Sequence, residues 1–454
     1  MELREYQIEA FSKCVEFFKQ AKSVPSLAVL PTGWGKSHLI AHIAANTEGG
    51  IVVLQPNKEL LEQNHKKYSD IRDDSEIYSA SFKSKKVGRV TFATIGSVKS
   101  LGAMFAEMGI TKLIVDEVHH FPKNMESMLG TFLKDGGFAH VLGLTATPMK
   151  LQPCYDRWGN SATKLAMLTS HSQKNPSFFK DIIHITQVSE LKDWWTPIVY
   201  DAKDMYSDYL RFNTTGSDYT DISVLKAYDA TDSDTLILNA LKRMPERKSV
   251  LVFVPSVEKA RNLASKTPSS SCVYSGMPDK ERSLSVAQFR SGEIRVMYNV
   301  NIFSLGADFP ALDAIIMTRP TASFSWYYQA LGRIVRKHIS KTDGLVLDFS
   351  GNVLKFGEIE SFEVRKETRA WQCYSGGKKI TSIPFTEVGE EAAPAQTIDE
   401  SVMPFGKYKG SDIQGCVKRD PAYFDWLVTL PDISPKLSKT INEYLTQTNS
   451  LVVN

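Results

Sequence analysis

The sequence predicts an α/β protein with two parallel-sheet domains in tandem and a small C-terminal accessory domain. Three observations point there. The chain has 454 residues, more than a single hydrophobic core comfortably organises. Short, β-branched apolar runs alternate with polar loops and helix-compatible stretches, in two series separated by a polar region. An acidic stretch with several alanines and a proline then divides a final aromatic-bearing segment from the rest.

The first series opens with Leu27-Ala28-Val29-Leu30, which leads into Pro31-Thr32-Gly33-Trp34-Gly35-Lys36-Ser37. It continues with Ile51 to Leu54, Val90 to Thr94, Leu113 to Val115 and Val141 to Leu144. Uninterrupted apolar strands of this kind, alternating with helices, belong in a parallel sheet covered on both faces. The series pauses after Pro148 and resumes with Val250 to Val254, Ile294 to Tyr298, Ala314 to Met317 and Leu345 to Leu347. The expected boundaries are 1–150 for the first domain, 151–235 for a connecting or accessory region and 236–370 for the second domain. An acidic linker at 371–400 and an accessory domain at 401–454 follow. From Thr381 to Gly406 there are five acidic residues and no Lys or Arg. The +3 net charge of the whole chain therefore becomes +8 once this stretch is set aside.

Composition excludes several classes. No run approaches the roughly 18 apolar residues of a membrane span, so no membrane partner is expected. Met1-Glu2-Leu3-Arg4-Glu5 has neither the basic nor the apolar region of a signal peptide. Cys14, Cys154, Cys272, Cys373 and Cys416 lie far apart with no C-x-x-C pair. That argues against a disulfide framework or a cysteine zinc site and for a reducing, cytoplasmic setting. Near-neutral charge excludes a polybasic binder but not one that holds phosphate along a local groove.

The Leu30–Ser37 segment is a strand, a Gly-rich turn and Gly-Lys-Ser opening a helix. Gly33 and Gly35 allow several N–H groups to converge on one phosphate cluster, and the helix N-terminus adds partial positive charge. Lys36 is placed for the β- and γ-phosphates of ATP, and the Ser37 hydroxyl for Mg²⁺. Leu30 stands where the strict phosphate-loop pattern has glycine. Asp116 ends the run Lys112 to Val115, at the strand edge where ligands bind in open α/β sheets. Its carboxylate suits Mg²⁺, and Glu117 beside it suits a general base for water. Trp34 fills the variable position of the loop, either as an exposed side chain or as a stacking surface.

Asp116-Glu117-Val118-His119 resembles the D-E-x-H box of superfamily 2 helicases, and further motifs of that family follow in order. Leu3-Arg4-x-Tyr6-Gln7 resembles the adenine-reading element, with Arg4 and Gln7 at the base. Gln55-Pro56-Asn57-Lys58 and Thr94-Ile95-Gly96-Ser97 are similar to motifs that contact nucleic-acid backbone. Thr145-Ala146-Thr147-Pro148 resembles the motif linking hydrolysis to movement, with His119 coupling the acidic box to it. In the second half, Val254-Pro255-Ser256 resembles a further nucleic-acid motif. Gly306-x-Asp308-x-Pro310 resembles one that approaches the ribose, and Gln329-x-x-Gly332-Arg333-x-x-Arg336 the arginine-finger motif.

The resemblance spans about residues 1–350 and implies two RecA-like domains with ATP between them. It also implies that Gln329 positions water while Arg333 and Arg336, on neighbouring faces of one helix turn, stabilise the transferring phosphoryl group. The implied function is an ATP-dependent, Mg²⁺-requiring DNA helicase or translocase. In compactness it looks like phage- or bacterium-encoded enzymes that remodel branched DNA in recombination and repair, including by branch migration. RNA unwinding, and a nucleotide-gated DNA translocase subunit without strand separation, are the alternatives.

Other signals are weaker. His119 and His120 are adjacent, which on a strand directs them to opposite faces and makes a poor chelate. Lys83 to Arg89 forms either a solvated hairpin or a phosphate contact. Phe178, Phe179, Trp194, Trp195, Tyr206, Tyr209 and Phe212 offer packing or a stacking wedge. The tail, with Lys407, Tyr408, Lys409, Tyr423 and Trp426, resembles a small module of exonuclease-like proteins and lacks a nuclease carboxylate set.

Overall fold

The computed structural model describes residues 2–120, 128–169, 177–300, 302, 309–368 and 370–387. In the C-terminal part it describes 403, 406–408, 411–429 and 435–450. In chain order, the strands of the first half are β1 (Ser26–Val29), β2 (Ile51–Gln55), β3 (Ser75–Ser79), β4 (Ser84–Lys85), β5 (Val90–Thr94), β6 (Lys112–Val115), β7 (His140–Thr145), β8 (Met149–Tyr155), β9 (Ser161–Met167) and β10 (Asp181–Ile185). Those of the second are β11 (Ile198–Ala202), β12 (Val250–Phe253), β13 (Ser270–Tyr274), β14 (Val296–Val300), β15 (Ala314–Met317), β16 (Gly344–Asp348), β17 (Glu363–Glu367), β18 (Ala370–Ser375) and β19 (Lys378–Lys379).

An eight-stranded sheet runs in the order β10-β1-β7-β6-β2-β5-β3-β4, parallel except for β4. A six-stranded parallel sheet runs β11-β16-β15-β12-β14-β13. The central strands β1, β2, β7, β12, β14 and β15 are buried along their whole length. That is why they read as unbroken apolar runs: helices cover both faces and leave no solvent side to alternate with. Because the strands of each sheet are parallel, their C-terminal ends share one edge, and the loops leaving it build the site.

The 151–235 stretch, expected as a connecting or accessory region, supplies an edge strand to each sheet: β10 pairs with β1, and β11 with β16. Its start forms the β8–β9 hairpin, whose outer side exposes Leu151, Tyr155 and Trp158. The expected linker 371–400 needs a larger correction. It is folded as far as Glu387, through β18, β19 and a 3-10 turn at Phe385–Glu387. Cys373, Ile380, Thr381 and Phe385 are buried there, which explains the order, since apolar side chains outweigh the scattered charge. Glu387 accepts a hydrogen bond from the Arg157 backbone at 2.8 Å; residues 388–400 lie outside the described ones.

The C-terminal segment carries helices at Ile413–Arg419, Pro421–Val428 and Pro435–Ser450. They close over a separate small core of Met403, Ile413, Cys416, Val417, Phe424, Leu427, Ile441 and Leu445. Asp412 and Asp420 cap the first two helices with their carboxylates.

Candidate active site

At the C-terminal end of β1 the chain turns through Gly33 (φ +72°) and Gly35 (φ +95°) into the helix Lys36–Asn46. Both angles lie in the left-handed region, where a side chain is strained. The helix N-terminus thus faces the bend with its first N–H groups unsatisfied by the helix. Lys36 Nζ pairs with Glu117 Oε1 at 3.1 Å, both side chains being mostly buried. Glu117 has a φ of +45°, a strained value that costs about 1–3 kcal/mol and collects at functional sites. Its backbone N–H donates to Asp116 Oδ1 at 2.9 Å.

Asp116 is buried. Burial first, and the neighbouring Glu117 charge second, push its carboxyl well above the usual carboxylate range. Asn64 Nδ2 donates to Asp116 Oδ2 at 2.9 Å, and Gln63 Nε2 to Ser37 Oγ at 2.9 Å. Two consecutive amides on the helix Lys58–Ser69 therefore orient the two residues expected at Mg²⁺. This oxygen pair, one hydroxyl and one carboxylate costly to keep charged without a cation, fits a hard cation that takes its remaining ligands from phosphate and water. Sequence reasoning missed Gln63 and Asn64, because nothing in their spacing distinguishes them from solvent-facing amides of a helix.

His119 joins the two halves of the site. Its Nε2 lies 2.7 Å from Gln329 Nε2 on the helix Phe324–Leu331, and its Nδ1 lies 2.9 Å from Thr145 Oγ1. An amide N–H can only donate, so His119 Nε2 accepts and the ring proton is on Nδ1. Thr145 passes the chain on: its hydroxyl donates to the Thr147 carbonyl and accepts from the Thr147 N–H, both at 3.1 Å. Glu117 Oε2 is 3.5 Å from His119 Nδ1. His119 and His120 lie in a 3-10 turn, Val118–His120, not in a strand. Among the described residues no group of three or more His, Cys, Asp or Glu could hold a metal by itself.

Arg333 and Arg336 are buried in the cleft, and burial lowers both guanidinium groups to about 10, still cationic at neutral pH. They do not share a helix turn, contrary to the expectation from the sequence. The helix ends at Leu331 with Gly332 as its cap, and Arg336 forms a β-bridge with Trp195. Close approach explains the break: a Cβ on Gly332 would lie 2.0 Å from Thr32 Oγ1, so the second sheet's loop rests directly on the phosphate loop.

Thr32 and Gly33 therefore lie against the second half, with Thr32 Oγ1 donating to the Gly332 carbonyl at 3.4 Å. Lined by Arg4, Gln7, Thr32, Lys36, Glu117 and Arg336 among others, the cleft has a volume of about 430 Å³.

Trp34 is 1% exposed, which corrects its reading as an exposed or DNA-stacking side chain. Its Nε1 donates to Thr186 Oγ1 at 3.0 Å, and its carbonyl accepts from Tyr6 and Gln7, each at 2.9 Å. Gln7 uses its other amide atom to accept from Arg4 N at 2.9 Å. The amide expected to read adenine thus holds the phosphate loop in this conformation. Trp194, unforeseen at this site, packs on Tyr6 at 5.1 Å and under the Arg4 guanidinium at 5.4 Å.

The residues expected at nucleic acid lie at the same C-terminal strand ends. Pro56, Asn57 and Lys58 follow β2, Thr94, Ile95 and Gly96 follow β5, and Pro255 and Ser256 follow β12. Asn57 and Ser256 spend their side-chain oxygens capping helices, accepting from Leu60 N and Lys259 N. Gly96 has open space around it. Gly306 and Asp308 lie outside the described residues. Arg89 is no phosphate contact: it pairs with Asp74 at 2.5 Å and donates to the Thr47 and Ala44 carbonyls.

Residues 1–150 match the family model "Type III restriction enzyme, res subunit", and residues 232–338 match "Helicase conserved C-terminal domain". The chain is 24% identical over 376 residues to the putative ATP-dependent helicase IRC3 of Saccharomyces cerevisiae, covering 77% of this chain and 51% of that one. It is 23% identical over 363 residues to the DNA 3'-5' translocase XPB2 of Sulfurisphaera tokodaii, covering 74% and 79%. The chain spans little more than half the length of the two yeast relatives it matches, 51% and 57%. A fragment of a putative HsdR subunit of a type I restriction enzyme from Vibrio vulnificus superposes with a TM-score of 0.56 at 18% identity, over 77% of this chain and 64% of that one. That likeness shows the fold, two RecA-like domains in tandem.

Proposed function

The chain belongs to the superfamily 2 helicases, and on that premise we propose that it hydrolyses ATP, with Mg²⁺, in the cleft between its two sheets and couples hydrolysis to movement on DNA. The single observation that carries this reading is the 2.7 Å contact of His119 and Gln329, which ties the Lys36–Glu117 pair of one half to the arginine-bearing loop of the other. Phosphates bind at the bend of Gly33 and Gly35 and at the helix N-terminus, with Lys36 as counter-charge. Ser37 and Asp116 hold Mg²⁺, which when bound neutralises charge on the phosphates. Glu117 accepts the proton of the attacking water, and Lys36 and His119 hold its carboxylate in place. Arg333 and Arg336, desolvated and cationic, stabilise the negative charge on the transferring group.

Closing the site needs both halves, so each round of binding and release shifts the population between closed and open cleft. The loops after β2, β5 and β12 then grip and release a backbone. DNA is the substrate favoured, supported by the name of the XPB2 relative, a DNA 3'-5' translocase, and by the charge of +8 outside the acidic stretch. A forked or branched duplex, as in recombination and repair, is the form of DNA we propose for it. Cys14, Cys272, Cys373 and Cys416 are free, which supports a reducing compartment. No helix among the described residues is long and apolar enough to cross a membrane. ATPase and unwinding measured with single-stranded, duplex, forked and four-way DNA, and with matching RNA, tests the reading. Stimulation by RNA alone selects the RNA-helicase alternative, and stimulation without unwinding selects the translocase subunit.

A further inference from the structure

The machinery above makes no use of a buried donor on the segment that joins the two sheets. Trp195 is 5% exposed, and its indole Nε1 has no hydrogen-bond partner among the described residues. Leaving such a group unpaired in a protein interior is unfavourable, so a partner is expected in some state of the molecule. The ring lines the same cleft as Lys36, Glu117 and Arg336. Nε1 is aimed at the phosphate loop: a Cβ built on Gly33 would lie 3.6 Å from it and 4.0 Å from Arg336 Cγ. Gly33 itself puts no side chain between the indole and the loop's bend; Val335 Cγ2 packs beside them, 2.9 Å from where a Cβ on Gly33 would lie.

The backbone around Trp195 belongs to the other half of the site. Trp195 bridges Arg336, Thr196 N donates to the Val335 carbonyl at 2.8 Å, and Thr196 Oγ1 donates to the Arg336 carbonyl at 2.9 Å. The indole and Arg336 therefore move as one unit relative to the phosphate loop. Trp194, the preceding residue, lines the same cleft against Tyr6 and Arg4.

We propose that Trp195 is a ligand of the terminal phosphate of the bound nucleoside triphosphate, its indole N–H donating to a phosphoryl oxygen beside Arg336. The inference rests on the ATP reading of the cleft. An indole N–H only donates, which suits an anionic oxygen, and a bond to a charged acceptor is stronger than one between neutral groups. A diphosphate lacks that oxygen. The segment joining the two sheets thereby distinguishes triphosphate from diphosphate through its own side chain.

The test is equilibrium binding of a non-hydrolysable ATP analogue and of ADP, each with Mg²⁺, to the full chain and to Trp195→Phe. A second variant carries benzothienylalanine at 195, which keeps the ring shape and replaces N–H by sulfur. The expected result is about tenfold weaker binding of the triphosphate in both variants, with ADP affinity and melting temperature unchanged. Equal weakening for both nucleotides, or none in the benzothienylalanine variant, overturns the proposal. If the unsubstituted chain binds neither nucleotide, the ATP reading itself fails and takes the proposal with it.

Discussion

His119 Nε2 accepts a hydrogen bond from Gln329 Nε2 at 2.7 Å, across the cleft between the two sheets. Both residues are more than nine-tenths buried, so the contact is made in a low-dielectric setting where it is strong and its loss is felt. Through Nδ1 the same ring touches Thr145, and through Thr145 the loop that begins the β8–β9 hairpin. The acidic residues, the second half and that loop thus meet at one imidazole.

If the imidazole transmits state between the halves, His119→Ala and Gln329→Ala should each lower nucleic-acid-stimulated ATPase more than basal ATPase. The double variant should lose no more than the worse single, a coupling of about 0.5–3 kcal/mol for residues in one network. Additive losses in the double-mutant cycle contradict the bridge.

Lys36→Ala should weaken ATP binding, since it removes a positive charge placed at the bend and leaves Glu117 without its 3.1 Å partner. Arg336→Ala should leave binding largely intact and slow turnover by about 10³–10⁵-fold, as removal of an arginine finger does. Single-turnover kinetics separates the two effects.

Asp116 gives stability a pH dependence of defined sign. Its folded-state pKa is raised by burial and then by the Glu117 charge, so the native state holds a proton that the unfolded chain releases. Stability should fall as pH rises from the ordinary carboxylate value upward. Asp116→Asn should flatten that slope, and Mg²⁺ with nucleotide should reverse it. Denaturant midpoints at several pH values, with and without ligand, check this; an unchanged slope in Asp116→Asn contradicts it.

Trp34 anchors the phosphate loop from within. Trp34→Phe removes the Thr186 hydrogen bond and should cost about 1 kcal/mol. Trp34→Ala should cost about 3–5 kcal/mol, as truncating a buried aromatic does. Because its carbonyl is held by Tyr6 and Gln7, Trp34 emission should change when nucleotide binds. An unchanged Trp34→Phe difference spectrum contradicts that coupling.

The strands legible in the sequence were those buried on both faces, such as β2 and β15, whose apolar runs have no polar interruption. β3 and β13 were not legible, because strands at or near a sheet edge tolerate sequences such as Ser-Glu-Ile-Tyr-Ser and Ser-Ser-Cys-Val-Tyr. At the site, Lys36 and Glu117 stood out because a charge next to glycine or at a strand end has few structural uses, and Arg336 because of its place in a motif that resembles one of the family. Gln63, Asn64, Trp194 and Trp195 did not. Their positions depend on how the helix after β2 and the segment between β10 and β11 dock, which no local spacing encodes. Trp34 misled because loop position suggested exposure, whereas β10 adds to the sheet beside β1 and Thr186, just beyond its end, reaches the indole.

The most direct test of ATP hydrolysis at this cleft uses Glu117→Gln, measured for nucleotide affinity and steady-state ATPase in the presence of DNA. The account predicts unchanged or tighter ATP binding with turnover reduced to background. Full ATPase in Glu117→Gln would contradict it.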